Sequence, residues 1–501
     1  MKKQLLAFFF LVIWQVITAQ AQSKKPNVLI IMADDLGWAD LSCYGSTFYE
    51  TPHLDQLALG GTRFTHGYAN SPVCSPTRAS LMTGKYPVKT GVTDWIPGRH
   101  ANGKALPFEK FVGATTANEL ALKENTLAEQ VQKSGYKTFF AGKWHLGETE
   151  EYWPEYQGFE TNMGGWSKGG PVNMKNDTTG GYFTPYNNPR LSDGPRGEYI
   201  TDRLANECIR FIDNNGKDEP FMMLYSLYAV HNPMQAPTEL VRKYERKSAG
   251  ILKPGETPFA KDEPWMTYQN GWRRRTVQEL PVYAAMVENM DTNIGRIVAK
   301  LKEKGLYENT LIIFTSDNGG LSTAEGSPTV NGPLRAGKGW LYEGGIRVPF
   351  IMHWNGRVPV NKTSELPVTV ADIFTTVAAV ADKSYKAAPL LDGKNIFQMM
   401  ANPAKFDSRE LYWHYPHYSN QGGKPGAAIR EGNWKLIYNY EDGSIELYDI
   451  LKDVGERNEV STQHKTITTR LKQKLMQWLK ENNAKAPAPN MAYHIEAAPQ
   501  R

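Results

Sequence analysis

The sequence predicts an α/β protein with a large, mostly parallel central sheet flanked by helices. Several short apolar runs lack the alternation of a strand with one wet face, which is typical of strands buried on both faces. These runs are residues 27–32, 136–141, 221–226, 310–315 and 348–352. Segments with helical spacing of apolar residues lie between them, at 125–134, 197–213 and 280–304. Strands that alternate with helices favour a parallel sheet.

A smaller unit with a different pattern is predicted after about residue 400. Short antiparallel strands are indicated at 410–415, 427–440 and 445–450, and residues 439–443 predict the hairpin turn between the last two. Residues 466–482 then predict an amphipathic helix. We therefore expect three mature parts. These are a main domain over 22–400, a C-terminal α+β subdomain with an antiparallel sheet over 401–483, and a loose tail over 484–501.

The first 21 residues predict a cleaved secretory signal peptide. Lysines at positions 2 and 3 precede an apolar run over 5–14, and residues 19–21 read Ala-Gln-Ala, a small-residue cleavage pattern. The apolar run is too short to span a bilayer comfortably, although an uncleaved N-terminal anchor stays open as the alternative. We expect a protein exported to the periplasm or secreted, with no stable membrane anchor.

The composition excludes several classes of protein. The chain has 501 residues, of which 41% are hydrophobic and 22% charged, which is typical of a globular protein and not of a disordered or multi-span membrane protein. A net charge of +5 is too mild to predict a nucleic-acid partner. Three cysteines are too few for a disulfide framework. Cys43 and Cys208 could pair, but nothing in their spacing demands it, and two free buried thiols are the expectation.

Polar clusters follow four of the predicted buried strands. They contain Asp34 and Asp35 after the first run, Lys143 and His145 after the second, His231 after the third, and Asp317 and Asn318 after the fourth. In open α/β sheets, ligands bind beyond the carboxyl ends of the strands. We therefore expect these side chains to share one site.

The acidic residues in these clusters predict a metal site. If their strands are neighbours, three carboxylates and an amide meet in a small volume, where like charges raise each other's pKa and a divalent cation relieves the repulsion. Oxygen ligands favour calcium or magnesium over zinc. Calcium tolerates irregular coordination better, so we expect one calcium ion, with magnesium second. Taken alone, each acidic pair is more typical of a turn.

Residues 71–84 carry the most specific motif. Cys74-Ser75-Pro76-Thr77-Arg78 matches the Cys-x-Pro-Ser/Thr-Arg signature of the sulfatase family, and residues 81–84 match its continuation. Other matching stretches are 33–37, 51–55, 142–147, 316–319 and 337–339. On these residues the chain resembles formylglycine-dependent type I sulfatases, especially exported bacterial carbohydrate sulfatases, from about residue 26 to 349 and more loosely to 478. Outside such a signature, Cys74 would be read as a small buried hydrophobe.

The resemblance implies a fold and a chemistry. The fold is the alkaline-phosphatase-like one. A formylglycine-generating maturation enzyme would oxidise Cys74 to an aldehyde residue, whose hydrate attacks the sulfur of a sulfate monoester and expels the alcohol. The second hydroxyl of the hydrate would then let the ester collapse and restore the aldehyde. Residue 74 would complete the metal site with Asp34, Asp35, Asp317 and Asn318.

The resemblance also implies roles for the basic residues. Arg78 lies four residues after Cys74, on the same helical face, and would hold the hydrate. Lys143 and His145 would bind sulfate and steady the hydrate, with His145 taking its second proton. His231 would be the general acid for the leaving oxygen, and Lys338 would bind sulfate and share that role. Weaker candidates for substrate binding, each more typical of a structural role, are Asp94, Trp95, Arg99, His100, His414 and His417.

Three hypotheses of function follow. The first is an exported sulfatase that hydrolyses sulfate esters on a carbohydrate. The second is a phosphate or phosphonate ester hydrolase of the same superfamily, against which the complete Cys74 signature argues. The third is a non-catalytic sulfated-glycan binder, which would not need Cys74 together with all the basic residues of the site.

Overall fold

The computed structural model describes residues 24–99, 105–172, 180–260 and 273–494. The described strands are β1 (Asn27–Ala33), β2 (Thr62–Tyr68), β3 (Phe111–Val112), β4 (Lys137–Gly142), β5 (Thr161–Met163), β6 (Phe221–Ser226), β7 (Thr310–Ser316), β8 (Arg347–His353), β9 (Lys362–Ser364), β10 (Val368–Thr369), β11 (Glu410–Tyr415), β12 (Gly426–Glu431), β13 (Trp434–Asn439), β14 (Ile445–Asp449) and β15 (Ala488–Pro489). The predicted signal peptide lies outside the described residues.

Helices connect most of these strands. The described α-helices are α1 (Pro52–Leu59), α2 (Cys74–Thr83), α3 (Pro87–Thr90), α4 (Leu127–Gln132), α5 (Ile200–Asn214), α6 (Thr238–Ser248), α7 (Pro281–Glu303), α8 (Glu343–Ile346), α9 (Ala371–Ala381), α10 (Ile396–Ala401) and α11 (Lys465–Glu481). None of the helices in this part of the chain is long and apolar enough to cross a membrane.

Nine of the described strands form the central sheet, in the order β10-β2-β8-β7-β1-β6-β4-β5, with β9 beside β2. β1 lies at its centre, parallel to both β6 and β7. β8 is antiparallel to its two neighbours, β7 and β2. The predicted fold class, a mostly parallel sheet flanked by helices, is confirmed.

Both faces of the central sheet are covered, which explains the continuous apolar runs in the sequence. Leu29 and Ile31 of β1 point into one core, which α5 and α7 cover. Val28 and Ile30 point into a second core, which contains α2 and α9. All four side chains are fully buried. A strand with two dry faces has no position for a polar residue until it ends, and there the polar clusters begin.

The C-terminal subdomain contains a separate antiparallel sheet, in the order β11-β12-β13-β14. The segment predicted as strand at 427–440 is two strands, because Gly432, with a φ of +58°, turns the chain between β12 and β13. Leu471 and Leu475 of α11 pack on one face of this sheet. The sheet and helix match the predicted α+β character.

The tail after α11 differs from the predicted loose segment over its described part. β15 pairs with β3 in a two-stranded antiparallel sheet. Beyond this strand, the Asn490 N–H donates to the Lys110 carbonyl at 2.9 Å, and the His494 N–H donates to the Pro107 carbonyl at 2.7 Å. The tail is therefore held by backbone hydrogen bonds as far as residue 494, which no side-chain pattern in residues 484–494 signals.

The three cysteines are free, as expected for Cys43 and Cys208. Cys208 is fully buried on α5, and Cys43 is half-buried.

Candidate active site

The acidic residues of two strands meet at the carboxyl edge of the central sheet. β1 and β7 are neighbours with Ala33 opposite Ser316, so the residues that follow these two positions adjoin. Asp34, Asp35, Asp317 and Cys74 each offer a ligand atom, and these atoms all lie within 4.8 Å of one another. All four side chains are at most 2% exposed. Such a group of buried acids is held together only by compensating positive charge.

Asn318 completes this acidic cluster. Its Nδ2 donates to Asp35 Oδ1 at 2.8 Å, and its Oδ1 is buried without a hydrogen-bond partner among the described residues. The backbone N–H of Asp35, a residue with φ of +60°, donates to Asp317 Oδ1 at 3.2 Å. An orphaned amide oxygen beside three carboxylates fits a hard divalent cation. The Cys74 sulfur stands where a formylglycine oxygen would complete an all-oxygen set.

Three cations surround the cluster. Lys143 Nζ lies 2.7 Å from Asp34 Oδ2, and Lys338 Nζ lies 2.8 Å from Asp35 Oδ2. Arg78 Nε donates to Asp317 Oδ2 at 2.9 Å, and Arg78 Nη2 forms an ion pair with the same oxygen at 2.7 Å. Three positive and three negative groups leave the cluster formally neutral. A divalent ion would therefore give it a net positive charge and make it attractive to an anionic ester.

The pKa values of the acids follow their surroundings. Burial raises the pKa of Asp34 well above its ordinary value, and Asp317 and Asp35 raise it further, while Lys143 opposes them. Burial would also raise the pKa of Asp35, but Lys338, His231 and Lys143 together outweigh it, so the pKa is lowered. Burial acts on Asp317 in the same way, and the Arg78 guanidinium lowers its pKa. The raised pKa means that the ionised form of Asp34 is costly in free energy. A bound cation would remove this cost.

Cys74 is the first residue of α2. Its side chain belongs to the acidic cluster and also lines the cavity described below. Its Sγ is 3.8 Å from Asp34 Oδ1. Burial raises the pKa of the Cys74 thiol to about 12. A thiol with that pKa provides almost no thiolate at neutral pH, so an unmodified Cys74 would be a poor nucleophile.

Arg78 and Lys143 are joined to the sheet as well as to the acids. Arg78 Nη1 donates to the Lys143 carbonyl at 3.0 Å and to Ser226 Oγ at 2.7 Å. Ser226 Oγ in turn donates to the same Lys143 carbonyl at 2.6 Å. Both cations are buried, and the helical spacing places Arg78 one turn after Cys74, as the sequence predicts.

His145 is positioned by the segment 93–97. Its Nε2 lies 2.5 Å from the Ile96 carbonyl, which can only accept, so this nitrogen carries the proton and Nδ1 does not. Nδ1 is buried without a partner among the described residues. Burial lowers the pKa of His145 well below its ordinary value, and Lys143 lowers it further. The ring is therefore neutral, with a free lone pair.

His231 lies beside Asp35 of the acidic cluster. Its Nε2 is 3.7 Å from Asp35 Oδ2, and its Nδ1 is 2.7 Å from the Asn232 carbonyl. Burial lowers the pKa of His231 to about 4, and Lys338 contributes to this drop. The side chain is 22% exposed and faces the cavity, so it is the more accessible of the two histidines.

A cavity of about 360 Å³ opens above these groups. It is lined by Cys74, Trp95, Ile96, Pro97, His145, Glu148, Ser167, Lys168, Gly169, His231, Glu325, Lys338, Asn420 and Gln421. Its volume falls in the range of small-molecule sites. Cys74, His145, His231 and Lys338, which the sequence predicts to act together, all reach this one cavity.

The six residues proposed for substrate binding are placed differently from one another. Trp95 lines the cavity, and His100 lies outside the described residues. The other four lie away from the described cavity wall. Asp94 accepts from the Trp95 N–H and the Tyr415 hydroxyl, and Arg99 pairs with Glu109 at 2.9 Å. His414 lies 3.0 Å from the Tyr440 hydroxyl, and His417 lies 3.0 Å from Thr93 Oγ1.

Several cavity residues were not predicted. Glu148, Glu325, Asn420 and Gln421 follow no spacing that marks a site. Ser167, Lys168 and Gly169 belong to the Gly-rich stretch 164–198, whose length was the only available signal. Gln421 comes from the C-terminal subdomain, so both parts of the chain build this cavity.

Comparisons with known proteins agree with this site. Residues 26–383 match the model of the sulfatase family, and residues 336–482 match a model described as N-sulphoglucosamine sulphohydrolase, C-terminal. The chain is 30% identical to a sulfatase of Formosa agariphila, over 96% of this chain and 93% of that one. It is 31% identical to human arylsulfatase G, over 84% and 77%.

A solved structure supports the same assignment. The crystal structure of Ps i-CgsB in complex with k-i-k-neocarrahexaose superposes with a TM-score of 0.71 at 29% identity, covering 92% of this chain and 94% of that one. The family model covers more than half of the chain, including every acidic and basic residue of the cluster. The protein is a sulfuric ester hydrolase and belongs to the sulfatase family.

Proposed function

We propose that the protein is an exported sulfatase that hydrolyses sulfate monoesters on carbohydrates, using a formylglycine made from Cys74 and one bound calcium ion. The observation that carries this proposal is the position of Cys74. Its side chain belongs both to the acidic cluster and to the cavity wall. A nucleophile made at this position would therefore meet the cation and the ester together.

A carbohydrate substrate is supported by two features. The related Ps i-CgsB is described in complex with k-i-k-neocarrahexaose, an oligosaccharide. In this chain, a half-buried tryptophan, Trp95, lines the cavity. Aromatic rings offer an apolar face that suits the C–H face of a sugar ring.

The proposed cation would be held by Asp34, Asp35, Asp317, Asn318 and an oxygen of modified residue 74. Bound there, it would supply Lewis-acid polarisation of the sulfuryl group. Calcium is favoured over magnesium because a set of unequal oxygen ligands from three chain segments suits irregular coordination. The neighbouring Lys143 and Lys338 would offset the charge of the sulfuryl oxygens.

We assign the return of the aldehyde to His145. Its Nε2 proton is held by the Ile96 carbonyl, and its Nδ1 has no partner among the described residues. Nδ1 could therefore accept the proton of the second hydroxyl of the sulfated hydrate at residue 74, while the carbon–oxygen bond to sulfate breaks, sulfate leaves and the aldehyde re-forms. This acceptance requires a neutral ring, and burial keeps the pKa of His145 low. The histidine is therefore ready to act as a base before substrate arrives.

We assign protonation of the leaving alcohol to His231. In the free site its pKa of about 4 leaves it neutral at pH 7. A sulfate ester bound beside it would bring negative charge and raise that pKa, so His231 would take up its proton together with the substrate. Lys338 is a poorer acid: burial lowers its pKa, but Asp35 and the other anionic groups around it together raise it well above the ordinary value. Its proposed role is to bind sulfate.

Maturation would have to precede folding. Cys74 is 2% exposed and Arg78 is 3% exposed in the folded chain, so an enzyme that reads their motif cannot reach it there. We propose that the formylglycine-generating enzyme acts on the extended chain, before or during export to the periplasm or the medium. Residues 1–21 would direct that export.

Mass spectrometry tests the proposed modification. The peptide that contains residue 74, from protein coexpressed with the maturation enzyme, is expected to lose the thiol sulfur and gain a carbonyl oxygen. A fully active preparation in which residue 74 is an intact thiol would disprove the mechanism.

The substitution Cys74→Ala tests the proposed nucleophile. We expect sulfate release from a panel of sulfated mono- and oligosaccharides to fall at least about 10⁴-fold, because no nucleophile remains. The melting temperature should change little, since alanine fits the buried start of α2. Sulfate release within about tenfold of the wild-type rate would contradict the assignment.

A further inference from the structure

The outer wall of the cavity carries acidic side chains, although the proposed substrate is a negatively charged ester. We define this wall as Trp95, Glu148, Lys168, Glu325, Asn420 and Gln421. Both glutamates are exposed, in contrast to the buried cations of the cluster. Lys168 is the one described cation in this wall, and its ammonium lies 6.0 Å from the centre of the Trp166 ring.

Glu325 is held in place from two sides. Gln421 Nε2 donates to its Oε1 at 2.5 Å, and Asn232 Nδ2 donates to its Oε2 at 3.3 Å. Asn232 Nδ2 also lies 3.3 Å from the Glu325 carbonyl. The backbone φ of Glu325 is +52°. Residues other than glycine rarely adopt this left-handed conformation, so the surrounding structure must stabilise it.

Gln421 is itself fixed, so the position of Glu325 is determined by a network. Ser419 Oγ donates to Gln421 Oε1 at 2.6 Å. The Gln421 carbonyl accepts from Trp340 Nε1 at 2.8 Å and from Thr323 Oγ1 at 3.0 Å. A carboxylate has about four lone-pair sites, and the two amide donors use two of them. Among the described residues, no other hydrogen-bond donor is recorded at this carboxylate, so its remaining sites can accept from a ligand in the cavity.

A carboxylate that can only accept hydrogen bonds selects the chemistry of its ligand. Ring hydroxyls and ammonium groups donate to it, whereas a uronic carboxylate or a second sulfate would face both Glu325 and Glu148. We propose that the outer wall is a subsite for a neutral or amino sugar ring that carries the cleaved sulfate, with Glu325 accepting hydrogen bonds from its hydroxyls. Uronic acids are excluded from this subsite. The proposal rests on the sulfatase activity on carbohydrates proposed above.

Matched substrates test the exclusion. Methyl galactosides sulfated at O2, O3 or O4 are compared with the corresponding methyl galacturonides, so that each pair differs only at C6, and the 6-sulfate of methyl galactoside is included as a further neutral substrate. For any position that is hydrolysed, we expect kcat/KM for the galactoside to exceed that of the galacturonide at least about thirtyfold.

The substitution Glu325→Gln tests the residue. It keeps the shape and one acceptor oxygen but removes the charge. On the best neutral substrate, we expect kcat/KM to fall at least about tenfold, mainly through a higher KM. The ratio of kcat/KM for the galactoside to kcat/KM for the galacturonide should also become smaller. The pH profile of kcat should not move, which separates substrate binding from an indirect effect on His231 through Asn232. The control Glu303→Gln, at the exposed end of α7, should match the wild type.

The outcomes separate the inference from the proposed function. If the wild type releases no sulfate from any member of the wider panel of sulfated mono- and oligosaccharides, the proposed carbohydrate sulfatase activity fails. If it releases sulfate, but Glu325→Gln stays within twofold of the wild type or galacturonides are hydrolysed as well as galactosides, only the inference fails. Equal melting temperatures and equal conversion of residue 74 establish that the variant is folded and matured.

Discussion

At the scale of the residue, Arg78 is the side chain that joins the helix of the signature motif to the sheet edge. It contacts Asp317 twice, the Lys143 carbonyl once and Ser226 once, all within 3.0 Å. A guanidinium can satisfy these partners together because its donors lie in one rigid plane. A lysine ammonium carries the same charge but is a single point and cannot span them.

We therefore expect Arg78→Lys to lower kcat/KM by about 100-fold, since small displacements of catalytic groups have effects of that size. The measurement is sulfate release from the best sugar substrate, with conversion of residue 74 checked in parallel by mass spectrometry. Arg63→Lys serves as control, because Arg63 lies outside the site and bonds Thr363 through one nitrogen. An Arg78→Lys enzyme with full conversion and near wild-type activity would show that charge alone suffices.

The sequence predicts the site residues that follow strands, and the reason is geometric. Asp34 and Asp317 come directly after buried strands, and the parallel neighbours β1 and β7 bring them together. Glu325 and Gln421 could not be predicted in this way, because they lie on loops and reach the cavity through tertiary contacts 96 residues apart. Trp95 and Asp94 are neighbours in one loop, but Trp95 lines the cavity and Asp94 stabilises the loop by accepting a hydrogen bond from the Trp95 N–H. The sequence alone does not distinguish these two roles.

At the scale of the element, the start of α2 is joined to two loops by Ser75. Ser75 Oγ donates to the His145 carbonyl at 2.8 Å and accepts from the Ile96 N–H at 3.1 Å. Ile96 then accepts from the His145 ring. The variable position of the signature thus fixes both the backbone and the ring of His145, and Ser75 is a positioning residue.

For Ser75→Ala we expect the free energy of unfolding to fall by about 1–3 kcal/mol, because two buried backbone groups lose their partner. kcat should fall with little change in KM, and Ser75→Thr should restore part of it. Ser80→Ala is a matched control, since Ser80 lies on the same helix, is fully buried, and its hydroxyl has no partner among the described residues. Equal effects of both alanine substitutions would contradict the positioning role.

The segment that carries Trp95 and Ile96 also contains a buried acid, Asp94. Burial raises the pKa of Asp94 to about 7, while its unfolded value is about 3.9. The folded state therefore binds the proton more tightly. The stabilisation from this proton is complete below pH 4 and is lost as the pH rises from 4 through 7.

In the wild type, we expect the free energy of unfolding to decrease between pH 4 and 7 because Asp94 loses its proton. The substitution Asp94→Asn should make this slope less steep, by up to about 1.4 kcal/mol for each pH unit. Asparagine keeps an acceptor for the Trp95 N–H and the Tyr415 hydroxyl, so the loop should stay in place. Urea unfolding at several pH values, with the exposed Asp407→Asn as control, measures the slope. Identical slopes in wild type and Asp94→Asn would show that Asp94 titrates at its ordinary pKa.

At the scale of the whole molecule, the two parts of the chain share an apolar core. Tyr68, Trp340 and Ile346 of the main domain pack with Trp413 and Ile437 of the C-terminal sheet. The sequence predicts a boundary near residue 400 from a change in strand pattern. It does not show that residues on either side of this boundary pack against one another. Helical and strand periodicities predict that a side chain is buried, but not which other side chains it contacts.

A buried ionic group lies at the same interface. Lys435 of β13 lies 3.0 Å from Glu343 of α8 and 2.8 Å from Glu456, and all three side chains are fully buried. Burial raises the pKa of Glu456 to about 7 although Lys435 opposes it. The two acids share this ammonium, and Arg347 Nη1 lies 3.5 Å from Glu343 as a second, weaker partner. The interface should therefore be sensitive to removal of Lys435.

We expect Lys435→Met to lower the free energy of unfolding by about 3–5 kcal/mol, because methionine fills the space but removes the cation that both buried carboxyl groups share, leaving Glu343 only the Arg347 guanidinium at 3.5 Å. Glu456→Gln in the same chain should recover part of this loss, since it removes one of the two acids. Calorimetry should show a single transition that moves to lower temperature, because the shared core makes both parts unfold together. Two separate transitions, with only the later residues destabilised, would show that the C-terminal subdomain is an independent unit.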